Sequence, residues 1–185
     1  MDMSRQTRKA NASFAGLGRT KRIALGDTLV QQLTPDEVEV IVAHELAHQV
    51  RGDVWKGIAL SSLATLAAAF LLSRVAQPAV DRLAPRSSVR RVDDLASSPL
   101  LRLLLTALSL AAMPLANAFS RNMVERPADR FALDLTDRPD AFASAMDKLG
   151  RMNLSDPSPP RIVELLLYSH PPVASRIAMA RAYRR

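Results

Sequence analysis

The 185-residue chain has no cysteine, only three histidines and five glutamates, and 4% aromatic residues. The lack of cysteine excludes disulfides, thiolate metal sites and a cysteine nucleophile together. The formal charge is +7, but a nucleic-acid footprint needs a concentrated basic stripe with interleaved aromatics, and none is present. No nucleic-acid partner is expected. The basic start "MDMSRQTRKANASF" has no apolar stretch behind it, so it does not read as a signal peptide.

Among what is present, "AHELAHQV" at residues 43–50 carries the chemistry. On a helix, His44 and His48 of an H-E-x-x-H pattern lie one turn apart and present imidazole nitrogens to one point. Zinc suits such a pair, and Glu45 between them can take a proton from a metal-activated water. Three fixed positions are only suggestive, so the surroundings decide. "TPDE" is a helix start: Thr34 as N-cap, Pro35 at the first helical position, Glu37 closing a capping box. Val38, Ile41, Val42 and Leu46 then recur at helical spacing, which predicts a helix over roughly 35–51.

Upstream, residues 1–34 read as short strands and turns, with "KRIAL" a strand candidate and "GDTLVQQL" a short helix. Downstream lie two uncharged apolar stretches, 57–73 and 103–120. With their flanks each approaches the ~20 residues needed to cross a bilayer. A soluble domain of this length would struggle to bury two helices that are apolar on every side. They are therefore read as transmembrane helices over 57–76 and 100–119. The linker between them is polar and holds Pro78, Pro85 and several arginines. Beyond residue 120 the chain returns to amphipathic helices, near 120–135, 138–152, 161–168 and 173–184.

A catalytic zinc normally has three protein ligands and one open position. A third histidine six residues after His48, preceded by a glycine, is excluded because those positions hold Val54 and Arg51. A glutamate on the next helix is excluded because 57–73 contains no acid. The two glutamates after the motif are Glu125 and Glu164. Glu125, in "SRNMVERPADRFAL", has Asp129 one helical turn further on the same face. A carboxylate ligand beside a carboxylate that orients a ligating histidine is the usual arrangement. Glu164, in "RIVELLLY", reads more simply as an exposed helix residue.

The order "NASFAGLG", "KRIALGDTL", "AHELAH", hydrophobic segments, "SRNMVERPADRFA" and "SHPPVASRIA" resembles the catalytic region of the CAAX prenyl endopeptidase family, whose bacterial relatives include a membrane-bound heat-shock protease. The similarity runs from about residue 4 to 180. It implies a gluzincin with one zinc on His44, His48 and Glu125, and Glu45 as general base. It further implies that Asp129 supports a ligand histidine, and that His170 and Arg176 hold the substrate or the developing oxyanion. Asn11 would belong to an edge strand that pairs with the substrate backbone.

The expected fold is mainly α with a small N-terminal β element, a single membrane-bound metallopeptidase domain over 1–185 carrying two transmembrane helices. The expected function is membrane-bound zinc metalloendopeptidase, acting on a peptide or membrane-protein substrate in the lipid bilayer, in the plasma membrane of a bacterium. The alternative is a truncated, proteolytically inactive membrane remnant that binds zinc or protein partners. Two departures from the family pattern stand out. Relatives have further transmembrane helices before the "NA" segment, which this chain is expected to lack. Pro127 falls inside the E-x-x-A-D stretch, where it removes a backbone donor.

Overall fold

The structure is a computed structural model that describes residues 12–16, 20, 22–86 and 89–183. Two short strands, β1 (Ala12–Ala15) and β2 (Arg22–Leu25), pair antiparallel with Ala12 opposite Leu25 and Ala15 opposite Arg22. They lead into α1 (Asp27–Gln32), α2 (Pro35–Val50) and α3 (Asp53–Leu83). Then come α4 (Ser98–Phe119), a π-helical segment (Ser120–Glu125), α5 (Arg126–Thr136), α6 (Pro139–Met152), α7 (Arg161–Leu167) and α8 (Val173–Arg181). The expectation of a mainly helical chain with a small N-terminal β element holds. The chain divides into two compact units, Met1–Val54 with Ala116–Arg185, and Trp55–Leu115.

In the first unit, α2 packs on α5 and α6, and α6 on α8. Leu29, Val40, Leu133, Phe142 and Met146 are buried at its centre. The capping box forms as the sequence predicts: the Thr34 hydroxyl accepts from the Glu37 N–H at 3.3 Å, and Glu37 Oε2 accepts from the Thr34 N–H at 2.7 Å. The same carboxylate reaches across to α6. It accepts from Ser144 Oγ at 2.6 Å and from Lys148 Nζ at 2.7 Å. Burial raises the Glu37 pKa, but Lys148, Ser144 and the Thr34 N–H outweigh it and hold the carboxyl at about 2. A local cap, typically worth ~1 kcal/mol, thus also pins the start of the histidine-bearing helix to its neighbour.

In the second unit the long side chains of α3 and α4 are turned outward, and both helices are long and apolar enough to cross a membrane. α3 is longer than its apolar stretch: it continues through Pro78 to Leu83, where the sequence suggests a polar linker. Tertiary contacts outweigh the lost backbone bond here. Ala76 and Val80 are buried, and Gln77 accepts from the Val92 N–H at 3.2 Å while donating to Asp81 at 2.7 Å. Nor does a new helix start at residue 120. The helical run passes without a break from α4 through the π segment into α5, and no side-chain cap forms at either junction.

Candidate metal centre

α2 places His44 and His48 one turn apart, and their Nε2 atoms face each other at 3.2 Å. His44 is buried; its Nδ1 lies 2.9 Å from Asp129 Oδ1 on α5. His48 is matched by a second carboxylate, with Nδ1 3.1 Å from Asp53 Oδ2. A proton on each Nδ1, donated to its carboxylate, leaves lone pairs on both Nε2 atoms. Two lone pairs at that separation repel unless positive charge sits between them. Burial pushes the His44 pKa down, yet the neighbouring Asp129 and Glu125 carboxylates outweigh it and raise it to about 8. The two carboxylates thus favour positive charge at His44.

Glu125 closes the group. Its Oε2 is 3.4 Å from His44 Nε2, and its Oε1 is 4.0 Å from His48 Nε2. Oε2 is buried and has no hydrogen-bond partner among the described residues. An orphaned buried carboxylate oxygen is costly without a compensating charge. One ligand atom from each of His44, His48 and Glu125 falls within 4.8 Å of the others. Ligands 2.0–2.1 Å from a tetrahedral ion would stand roughly 3.3 Å apart, so the donors fit a metal ion.

The π segment explains how Pro127 is accommodated two residues after Glu125. Proline cannot donate to the carbonyl four residues back, that of Met123. Arg51 fills that role from the end of α2: its Nη2 donates to Met123 O at 3.2 Å. Arg51 Nε also lies 3.6 Å from Asp53 Oδ2. The stretch after the second histidine is thus tied to both His48 and the Glu125 segment. Asp53 was not singled out by sequence reasoning. It reaches His48 because Gly52, at φ 66°, turns the chain back in a left-handed conformation. A glycine just past the helix followed by an acid was the available signal.

Beside this group, reached through His44, lies a cavity of about 410 Å³. Glu45, His44, His170 and Arg176 line its polar side; Leu29, Ile41, Met146 and Val173 line an apolar side. Glu45 is half-buried, on the same helix as the two histidines. His170 is largely exposed, with Nε2 3.3 Å from Glu125 Oε2 and Nδ1 3.1 Å from Ser169 Oγ. Arg176 lines the cavity and also engages α5. Its Nε and Nη2 both engage Asp129, the first at 2.9 Å, so the guanidinium fork grips the carboxylate that holds His44. Glu164 differs from the sequence expectation: rather than being a free surface acid, it is half-buried and pairs with Arg121 at 3.4 Å. Asn11 lies outside the described residues; its neighbour Ala12, the first residue of β1, lines the cavity.

The chain matches the family model for peptidase family M48 over residues 1–184. It is 34% identical over 180 residues to the metalloprotease YhfN of Bacillus subtilis (strain 168), covering 97% of this chain and 42% of that protein. It is 32% identical to a protease HtpX homolog of Syntrophobacter fumaroxidans, covering 86% of this chain and 61% of the relative. Identity to the CAAX prenyl protease 1 homolog of Arabidopsis thaliana is 30%, over 96% and 41% of the two chains. The crystal structure of Ste24p from S. mikatae superposes with a TM-score of 0.78 at 28% identity, over 96% of this chain and 43% of that one. The chain spans about two fifths to three fifths of the length of these proteins. With nearly every residue inside the family model, the chain belongs to peptidase family M48.

Proposed function

We propose that this chain is the catalytic part of a membrane-bound zinc metalloendopeptidase, with His44, His48 and Glu125 holding one zinc. The observation that carries the reading is the convergence of two imidazoles and a buried carboxylate oxygen that makes no hydrogen bond to the described residues on one point beside a cavity. When bound, zinc supplies a Lewis acid that polarises the scissile carbonyl and makes water acidic near pH 7. Glu45 takes a proton from water in the cavity and passes it to the leaving amine. His170 donates to the oxyanion of the tetrahedral intermediate.

The remaining polar groups keep the ligands in place. Asp129 and Asp53 fix the tautomers and ring orientations of His44 and His48, and Arg176 holds Asp129 in turn. The apolar wall of the cavity accepts a substrate side chain, and β1 borders the same cavity, where an extended peptide could lie along it. α3 and α4, long and apolar enough to cross a membrane, support a bilayer setting, with a bacterial plasma membrane the proposed location and a peptide or membrane protein the proposed substrate.

Metal content tests the ligand set. Purified in detergent, the chain is expected to hold about one zinc. His44→Ala, His48→Ala and Glu125→Ala should each lose it, whereas Glu164→Ala should keep it. Full zinc occupancy in a His44→Ala/His48→Ala double variant would overturn the assignment.

A further inference from the structure

Arg121 is a buried cation that the chemistry above does not use. It sits in the π segment four residues before Glu125, and Asn117 lies four residues before it on α4. Both side chains reach the C-terminal end of α7. Asn117 Nδ2 donates to the carbonyls of Leu165 at 3.2 Å and Leu166 at 2.7 Å. Arg121 Nη1 donates to the carbonyl of Glu164 at 2.8 Å and to that of Tyr168. These are the carbonyls a helix leaves without a full set of partners at its end, where a cation is also favoured. α7 has seven residues and no side-chain N-cap, so it is too short to persist without such support.

The place of the contact matters as much as its strength. Two residues beyond Tyr168, a reach of at most ~7 Å, comes His170, whose Nε2 lies 3.3 Å from Glu125 Oε2. One side of a single helical run therefore presents Glu125 and, one step earlier, the clamp on the segment that carries His170. His170 itself is largely exposed, and its ring nitrogens lie against Ser169 and Glu125.

We infer that Arg121 and Asn117 are positioning residues that fix the Tyr168–His170 backbone, and so place the His170 imidazole against Glu125. The inference rests on the catalytic assignment of His170 made above. A lysine at 121 keeps the charge but not the planar guanidinium, which reaches both carbonyls through Nη1 while its Nε stays 3.4 Å from the Glu164 carboxylate. A misplacement of about an ångström costs up to ~10²-fold in rate.

The test uses the full chain in detergent with a fluorogenic peptide, comparing Arg121→Lys and Asn117→Ala in wild-type and His170→Ala backgrounds. In the wild-type background each should lower kcat by about 10- to 100-fold, with zinc content and KM near those of the parent. In the His170→Ala background the same changes should cost less than about twofold, since their target is gone. Equal losses in both backgrounds would overturn the inference. Backbone hydrogen exchange separates it from the role of His170 itself. Faster exchange over 165–170 in Arg121→Lys, with 37–50 unchanged, supports the clamp even if His170→Ala leaves kcat intact. Unchanged exchange over 165–170 would overturn it.

Discussion

The two units solve opposite solvation problems with similar residues. Around the histidines, Leu29, Val40, Leu133, Phe142 and Met146 turn inward, and buried charged groups such as Glu37, Glu125 and Asp129 sit among polar neighbours. Between residues 55 and 115 the arrangement inverts: Leu63, Leu66, Phe70 and Leu103 are 64–68% exposed, while polar contacts collect at one end among Gln77, Arg90 and Val92. Each large apolar side chain left in water forgoes roughly 1.5–3 kcal/mol of burial. A helix in lipid loses nothing by facing outward, because its backbone is satisfied internally. The contrast teaches that the chain is built for two solvents, and that the polar chemistry is confined to the unit with the inward-facing core.

The sharpest way to break that contrast is to put charge into the outward-facing helix. Leu66→Arg with Phe70→Arg should cost about 2.5–3.5 kcal/mol per residue at the centre of a span. Carbonate extraction should then release the variant, while the parent stays in the membrane pellet. A parent chain that is soluble, folded and monodisperse without detergent would mean that α3 and α4 cover something other than lipid.

Smaller effects are expected where the polar groups support the ligands. Asp129→Asn and Asp53→Asn should each weaken zinc affinity by about 10–100-fold, measured by competition with a chelator. Membrane extraction should not change. If only Asp129→Asn matters, the Asp53–His48 contact is incidental.

Sequence and structure agree best where the deciding interaction is local. The α2 cap was legible because Thr34, Pro35 and Glu37 lie within one turn, and the convergence of His44 with His48 followed from helical spacing. The approach of Glu125 and Asp129 to them was legible through the scarcity of glutamates and one turn of spacing. Asp53 was hidden because its approach depends on the left-handed turn at Gly52. The extension of α3 through Pro78 and the unbroken run from α4 to α5 were hidden because a proline or a polar stretch ends a helix only when nothing else satisfies the backbone. Arg51 on the Met123 carbonyl shows how a partner 72 residues away can do so. Glu164 was misread for a similar reason, since its partner Arg121 lies on another element.

The smallest expected effect concerns the core of the first unit. Glu37→Gln should destabilise it by about 1–2 kcal/mol near neutral pH, as lost charge-assisted hydrogen bonds do. The Glu37 pKa is lowered from 4.5 to about 2 on folding, so its contribution is present above pH 4.5 and disappears as pH falls toward 2. Thermal unfolding curves of the parent and Glu37→Gln should therefore converge across that window. A difference that persists unchanged to pH 2 would show that packing, and not charge, is responsible.

The central claim, that this group of residues is a working peptidase site, is tested most directly by Glu45→Gln. The variant keeps the shape and hydrogen-bonding capacity of the side chain but cannot accept a proton. Measured side by side in detergent and in liposomes, the parent should cleave a casein-type peptide. Glu45→Gln should retain about one zinc and lose on the order of 10²–10⁴ in kcat. A parent as inactive as Glu45→Gln in both settings, or a variant as active as the parent, would contradict the claim.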